Sequence, residues 1–169
     1  MSKLQLCLHH ELMLLTLDDT KGHFAGTMFL YGLAGALLSE MILQGIISVS
    51  DDEKPKVELA GGDQTGDPII DDVVGVISAS KTPQELKHWV SKVACQPDFA
   101  HRVAHQLAEL GILRYDEKKI LWFFTQKRYP EVDGSYEDAI RSRMAEVMFS
   151  DVENANERTL VLILSLIHI

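Results

Sequence analysis

The chain is short of cysteine, of proline and of positive charge, and each shortage removes a class of protein from consideration. Cys7 and Cys95 are its only cysteines, too few for a disulfide-dense secreted scaffold or a zinc knuckle and in keeping with a reducing cytoplasm. With 5 prolines and 11 glycines a fibrous repeat is excluded, and 46% apolar against 24% charged residues is the balance of a folded domain. No apolar run approaches the roughly 20 residues that a membrane-crossing helix needs. Residues 160–169, interrupted by Ser165 and His168, come nearest. An export signal is missing too, because Gln5 breaks the short apolar start and His9, His10 and Glu11 end it. The formal net charge of -9 gathers at Asp51, Asp52, Glu53, Glu58, Asp63, Asp67, Asp71 and Asp72. Such a surface repels phosphate backbones and anionic lipid alike, so nucleic acid is not an expected partner.

What is present is helical periodicity. Residues 11–17 are too densely apolar to have a polar face and predict a buried helix ending at Asp18-Asp19. Across 28–44, Leu30, Leu33, Leu37, Leu38, Met41 and Ile42 recur at three and four residues, with Gly32, Ala34, Gly35 and Ala36 between them. The small residues predict a close neighbour there, and Gly45 ends the helix. Residues 46–49 and 56–59 read as two short strands around a polar turn, and Gly61 to Pro68 as a turn-rich loop before a helix over 69–78. Thr82-Pro83-Gln84-Glu85 has the order of a capping box and predicts a helix from Pro83. Asp98 is placed to cap the next helix, whose inward residues are Phe99, Val103, Leu107 and Leu110 and whose stop is Gly111.

Residues 112–115, a turn at Asp116-Glu117-Lys118 and residues 120–125 read as a β-hairpin. Its second arm, Ile120-Leu121-Trp122-Phe123-Phe124, is apolar on both faces and so calls for a cover on each. The basic residues Arg114, Lys118, Lys119, Lys127 and Arg128 flank that arm and form the part of the chain suited to meet an anion. Ser135 then opens a helix with Tyr136, Ile140, Met144, Val147 and Met148 at core spacing, and a last helix starts near Glu157. The wholly apolar 160–164 of that helix predicts a central position and a domain that continues past the end of this chain. The fold class expected is mainly α: a compact multi-helix bundle with a small projecting β-hairpin and a short β-ribbon, one domain over residues 1–169 with its C-terminal part missing.

Sites of chemistry are hard to assemble. His9, His10 and Glu11 are consecutive, cannot share a helix face, and are assigned to capping or the surface. His101, His105 and Glu109 do share a face, but the zinc-protease motif and a third ligand are missing, so no metal is assigned. Cys95 has no nucleophile elbow or oxyanion loop around it and is expected to be a buried structural thiol. The paired aspartates suit turns and helix starts, and Gly61-Gly62 through Gly66 lacks the lysine and hydroxyl of a phosphate-binding loop. No catalytic residue and no cofactor are expected, and the chain is not predicted to be an enzyme.

Taken in order, the segments resemble the Golgi phosphoprotein 3-like domain family. The resemblance is carried by Glu11-Leu12-Met13-Leu14-Leu15 with Asp18-Asp19 and Gly22, by Gly32-Leu33-Ala34-Gly35-Ala36-Leu37-Leu38-Ser39-Glu40 with Gly45, and by Thr65-Gly66-Asp67-Pro68 with Asp71. Glu109-Leu110-Gly111-Ile112-Leu113, Tyr129-Pro130 and Arg158-Thr159-Leu160 complete it. It implies a mostly helical domain with a projecting hairpin. In the eukaryotic members that domain is a peripheral membrane adaptor binding phosphatidylinositol 4-phosphate and the cytosolic tails of Golgi glycosyltransferases. The short form without a long polar N-terminal extension is more similar to the bacterial members. The expected partners are therefore a phosphoinositide or anionic membrane surface, protein tails, or further copies of the chain through the hairpin. The expected location is cytoplasmic, with at most peripheral contact to the cytosolic face of a membrane.

The family's head-group site is a tryptophan near the start of the second helix, an arginine within it and two arginines three apart before the helix that ends in glycine. Those places are taken here by Ala25, Ala34, Pro97 and Ala100, none of them cationic. Phosphate recognition needs several charge-assisted hydrogen bonds. Arg102 is near enough in sequence to substitute in part, with Lys92 and Arg114 as further lipid-binding candidates. Leu121, Trp122, Phe123, Phe124, Lys118 and Lys119 are the candidates for membrane or oligomer contact at the hairpin. The alternative function is a soluble cytoplasmic protein-interaction or homo-oligomeric scaffold domain with no lipid specificity.

Overall fold

Helix α1 (Leu8–Thr16) and helix α2 (Gly26–Leu43) carry the densest apolar sequence, and they pack on one another at the centre of the molecule. In this computed structural model the described residues are 5–17, 26–61, 65–120, 124–149 and 156–167, with backbone alone at 26, 27, 118–120 and 124–126. Around the central pair stand α3 (Pro68–Ser78), α4 (Leu86–Ala94), α5 (Phe99–Glu109), α6 (Ser135–Phe149) and α7 (Glu157–Ile167). Helix α2 touches α1, α4, α5 and α7, and burial of Phe29, Leu33, Leu37, Leu38 and Met41 along it accounts for those contacts. Each such side chain contributes about 1.5–3 kcal/mol by leaving water. The mainly α class read from the sequence is the observed one.

The small residues of α2 act differently from expectation. Ala34 and Ala36 are buried in the packing, but a methyl group built on Gly35 would meet nothing within 4 Å, so Gly35 serves no close approach. The two stops are as expected: Gly45 and Gly111 take positive φ values of 68° and 73°, which a side chain would oppose.

A small antiparallel sheet has the order β1 (Ile47–Val49), β2 (Lys56–Leu59), β3 (Gln84–Glu85). Val57 faces the core between the exposed Lys56 and Glu58, the alternation a half-buried strand requires. Strand β3 corrects the capping-box reading. Gln84 and Glu85 pair with Val57 and Lys56, and the Leu86 amide donates to the Pro55 carbonyl at 2.8 Å, so the helix opens at Leu86 instead of Pro83. Thr82 Oγ1 accepts from Gln84 Nε2 and caps nothing. Ladder hydrogen bonds to β2 outcompete a local cap.

Further corrections follow from packing. Asp98 sits at the N-cap of α5 with φ 55° and makes no capping bond. Leu110 and Met148 face solvent, as does Cys95 at the end of α4. Helix α7 is peripheral: Thr159 and Leu162 are buried, while Leu164 and Ile167 are exposed. The hairpin is offset from expectation. Its strands are β4 (Asp116–Ile120) and β5 (Phe124–Arg128), in the register Asp116↔Arg128, Glu117↔Lys127, Lys118↔Gln126, Lys119↔Thr125 and Ile120↔Phe124. The expected turn at Asp116-Glu117-Lys118 is thus part of β4, because opposite charges across the ladder stabilise a polar strand. Residues 112–115 form no strand; Leu113 makes a single bridge to Glu131. The apolar stretch 120–124 is likewise not one strand: Ile120 ends β4 and Phe124 begins β5.

Candidate functional site

Two places merit attention: the ribbon, chosen from sequence, and a polar interior at the start of α1, which sequence did not show. In the ribbon, Leu121, Trp122 and Phe123 join β4 to β5 and lie outside the described residues, and the side chains of Lys118, Lys119 and Phe124 do too. Its strands pair with each other, and among the described residues no helix packs broadly on them. The lipid-binding candidates stand on separate partners. Arg102 pairs with Asp72 of α3. Arg114 forks onto Asp116, with Nε and Nη2 donating at 2.8–3.1 Å. Lys92 lies 5.1 Å above the ring of buried Trp89. Of the positions that replace the family's head-group residues, Ala34 and Ala100 are buried and Pro97 is exposed, while Ala25 lies outside the described residues. His101 and His105 engage different groups: His101 Nδ1 lies 3.2 Å from the Tyr129 hydroxyl, and His105 Nδ1 3.5 Å from Glu109.

The interior site corrects the assignment of His9, His10 and Glu11 to cap or surface, since all three are buried. A sequence signal for this existed. A helix apolar on every face must take its polar residues inside with it.

Each of those polar groups is met by a partner from far along the chain. Glu40 of α2 accepts the Leu8 amide at 2.7 Å, supplying the cap that Cys7 does not. Arg158 of α7 grips the same carboxylate with bonds of 2.7 and 2.9 Å and donates to the Leu6 carbonyl at 3.1 Å, while Gln44 donates to Glu40 at 2.6 Å. Burial raises the Glu40 pKa, but Arg158 and the Leu8 amide outweigh it and hold the carboxyl below its ordinary value. Glu11 receives Arg143 of α6 at 2.7 Å.

The histidines face α3 and α5. Asp67 caps α3 by accepting the amides of Ile69 and Ile70. It also accepts Gln106 Nε2 at 2.8 Å, and its other oxygen lies 3.5 Å from His9 Nε2. Although burial pushes the Asp67 pKa up, these neighbours hold it well below the carboxylate range. Gln106 uses its amide nitrogen on Asp67, so its Oε1 accepts from His10 Nε2, 2.9 Å away. Burial, with His9 beside it, lowers the His10 pKa to about 4, which leaves that ring neutral near pH 7. Burial and the charges of Glu40 and Asp67 push the Cys7 thiol up to about 12. Donor atoms of Cys7, His9 and His10 all lie within 4.8 Å of one another.

Glu11, Glu40, Asp67 and Arg158 come from four segments that carry the family resemblance, and the fold brings them to one end of α1. A family model described as Golgi phosphoprotein 3 (GPP34) matches residues 8–168. The chain belongs to that family. In this member of the Golgi phosphoprotein 3 family, those four residues hold α1 against α2, α3, α6 and α7. Among the described residues no helix is long and apolar enough to cross a membrane.

Proposed function

We propose that the chain is a non-enzymatic peripheral adaptor that meets an anionic membrane surface through the tip of the β4–β5 ribbon. The observation that carries this reading is the order of residues along the ladder. At the root, Asp116 faces Arg128 and Glu117 faces Lys127, so charge is balanced; nearer the tip Lys118 and Lys119 stand opposite the neutral Gln126 and Thr125. Beyond them come the Ile120↔Phe124 pair and the apolar Leu121-Trp122-Phe123. A basic band followed by an apolar end suits a headgroup layer above acyl chains. Engagement of Arg102, Arg114 and Lys92 by partners within the chain supports attraction to anionic lipid in general over recognition of one phosphoinositide head group.

Flotation with neutral, phosphatidylserine-containing and phosphoinositide-containing liposomes tests this. Binding is expected to follow total anionic charge and to be lost in the Trp122→Ser, Phe123→Ser double variant. A wild-type chain that stays with none of the liposomes, or a double variant that floats as well as wild type, removes the membrane proposal. A second reading, a homo-oligomeric or protein-interaction scaffold without lipid specificity, is favoured by the net charge of -9 and by the exposed Met148, Phe149, Leu164 and Ile167. Light scattering separates it: a monodisperse monomer at high concentration, unchanged by Trp122→Ser, excludes assembly through the tip.

A further inference from the structure

The geometry points to a metal site at the start of α1, in which Cys7, His9 and His10 hold one zinc-class divalent ion. Two independent observations carry it. The first is the convergence of one sulfur and two imidazole donors within 4.8 Å, at the one end of α1 where the backbone turns from extended at Cys7 into helix. A tetrahedral ion with ligand bonds of about 2.0–2.3 Å sets its donors roughly 3.3–3.8 Å apart, so closure around it requires a contraction of about 1 Å. The second is that His9, with 0% exposure, has no partner for its Nδ1, while its Nε2 faces Asp67 at 3.5 Å. A buried imidazole nitrogen without a partner is costly, and a metal bond removes that cost.

The surroundings match what metal-bound histidines need. Such a ring passes its second nitrogen to an acceptor that fixes its orientation and tautomer. His10 has Gln106 Oε1 at 2.9 Å from Nε2, which leaves Nδ1 as its metal-binding lone pair. His9 Nε2 faces Asp67 at 3.5 Å, leaving its other nitrogen for the ion. Asp67 and Gln106 are themselves joined at 2.8 Å, so one linked pair orients both rings. On coordination the Cys7 thiol releases its proton to solvent and the resulting thiolate forms the sulfur–metal bond. A thiolate with two imidazoles selects zinc-class ions over magnesium or calcium, which prefer oxygen. Cys7 is half-buried, so an ion reaches it without crossing the core. Three protein ligands leave a fourth position for water.

The test uses the full chain stripped with a chelator and titrated with Zn2+ against a competing dye, and with Co2+ followed by absorption. One ion per chain is expected, with a thiolate-to-cobalt charge-transfer band and a rise in Tm on adding Zn2+. Cys7→Ser should abolish the band and the Tm rise. Gln106→Ala should weaken Zn2+ binding by about 10–100-fold, as loss of an orienting partner does. Cys95→Ser, which alters the exposed thiol at the end of α4, should change neither readout. Absence of stoichiometric binding overturns the proposal, as does binding or a cobalt band that survives Cys7→Ser or disappears in Cys95→Ser. Cys7→Ser is nearly isosteric at a half-buried position, so its circular dichroism reports whether the fold is intact.

Discussion

At the start of α1 the carboxylates of Glu11 and Glu40 are withdrawn from water and gripped by Arg143 and Arg158, whereas along β4 and β5 charge is set out on two strands that, among the described residues, no helix packs broadly upon. The first arrangement joins segments more than a hundred residues apart; the second pairs residues within a dozen. The interior charges therefore bear on whether the chain folds, and the ribbon's charges on what the folded chain can touch. The comparison breaks if interior variants act on binding alone, or if ribbon variants unfold the protein.

The largest effect is expected at Arg158. Arg158→Ala leaves Glu40 buried without its cation, a loss of about 3–5 kcal/mol in chemical denaturation. A loss below about 1 kcal/mol would place this pair with ordinary surface ion pairs. The same pair sets an acid limit. With the folded Glu40 pKa below its ordinary 4.5, its stabilisation is complete above that value and is lost as pH falls through the folded pKa. Denaturation midpoints followed from pH 7 down to pH 3 should show this, with a flatter profile for Glu40→Gln.

A smaller effect belongs to Asp67. Asp67→Ala removes the α3 cap and should cost about 1–2 kcal/mol. Smaller still is Thr82→Ala, expected within about 0.5 kcal/mol because Thr82 caps no helix; a cost near 1 kcal/mol would restore the capping box read from sequence. For the ribbon, Trp122→Ser with Phe123→Ser should shift stability by no more than about 0.5 kcal/mol while abolishing liposome flotation. A large loss of stability there would mean that the tip is packed within the chain.

Much of the fold was legible because helices announce themselves locally. The three- and four-residue spacing of Leu30, Leu33, Leu37 and Met41 placed α2, and the apolar run from Ile69 placed α3, although its Asp67 cap and opening Pro68 read as loop. The errors occurred where a local signal competed with a distant partner. Thr82 to Glu85 resembles a helix start only until β2 is there to pair with it. Asp116-Glu117-Lys118 resembles a turn only until Lys127 and Arg128 stand opposite. The candidate cations Arg102 and Arg114 looked available because Asp72 and Asp116 are not visibly their partners in one dimension.

By itself the sequence determined the mainly helical class, the helix stops at Gly45 and Gly111, the existence of a hairpin and the family. These rest on backbone propensity and on side-chain periods that span a few residues. Only the tertiary structure decided that His9, His10 and Glu11 lie inside, that Glu40 caps α1 from another helix, and that donor atoms of Cys7, His9 and His10 come within 4.8 Å of one another. Burial and hydrogen bonding of a polar side chain are settled by what the rest of the chain brings to it; for Glu40 that is an arginine 118 residues away.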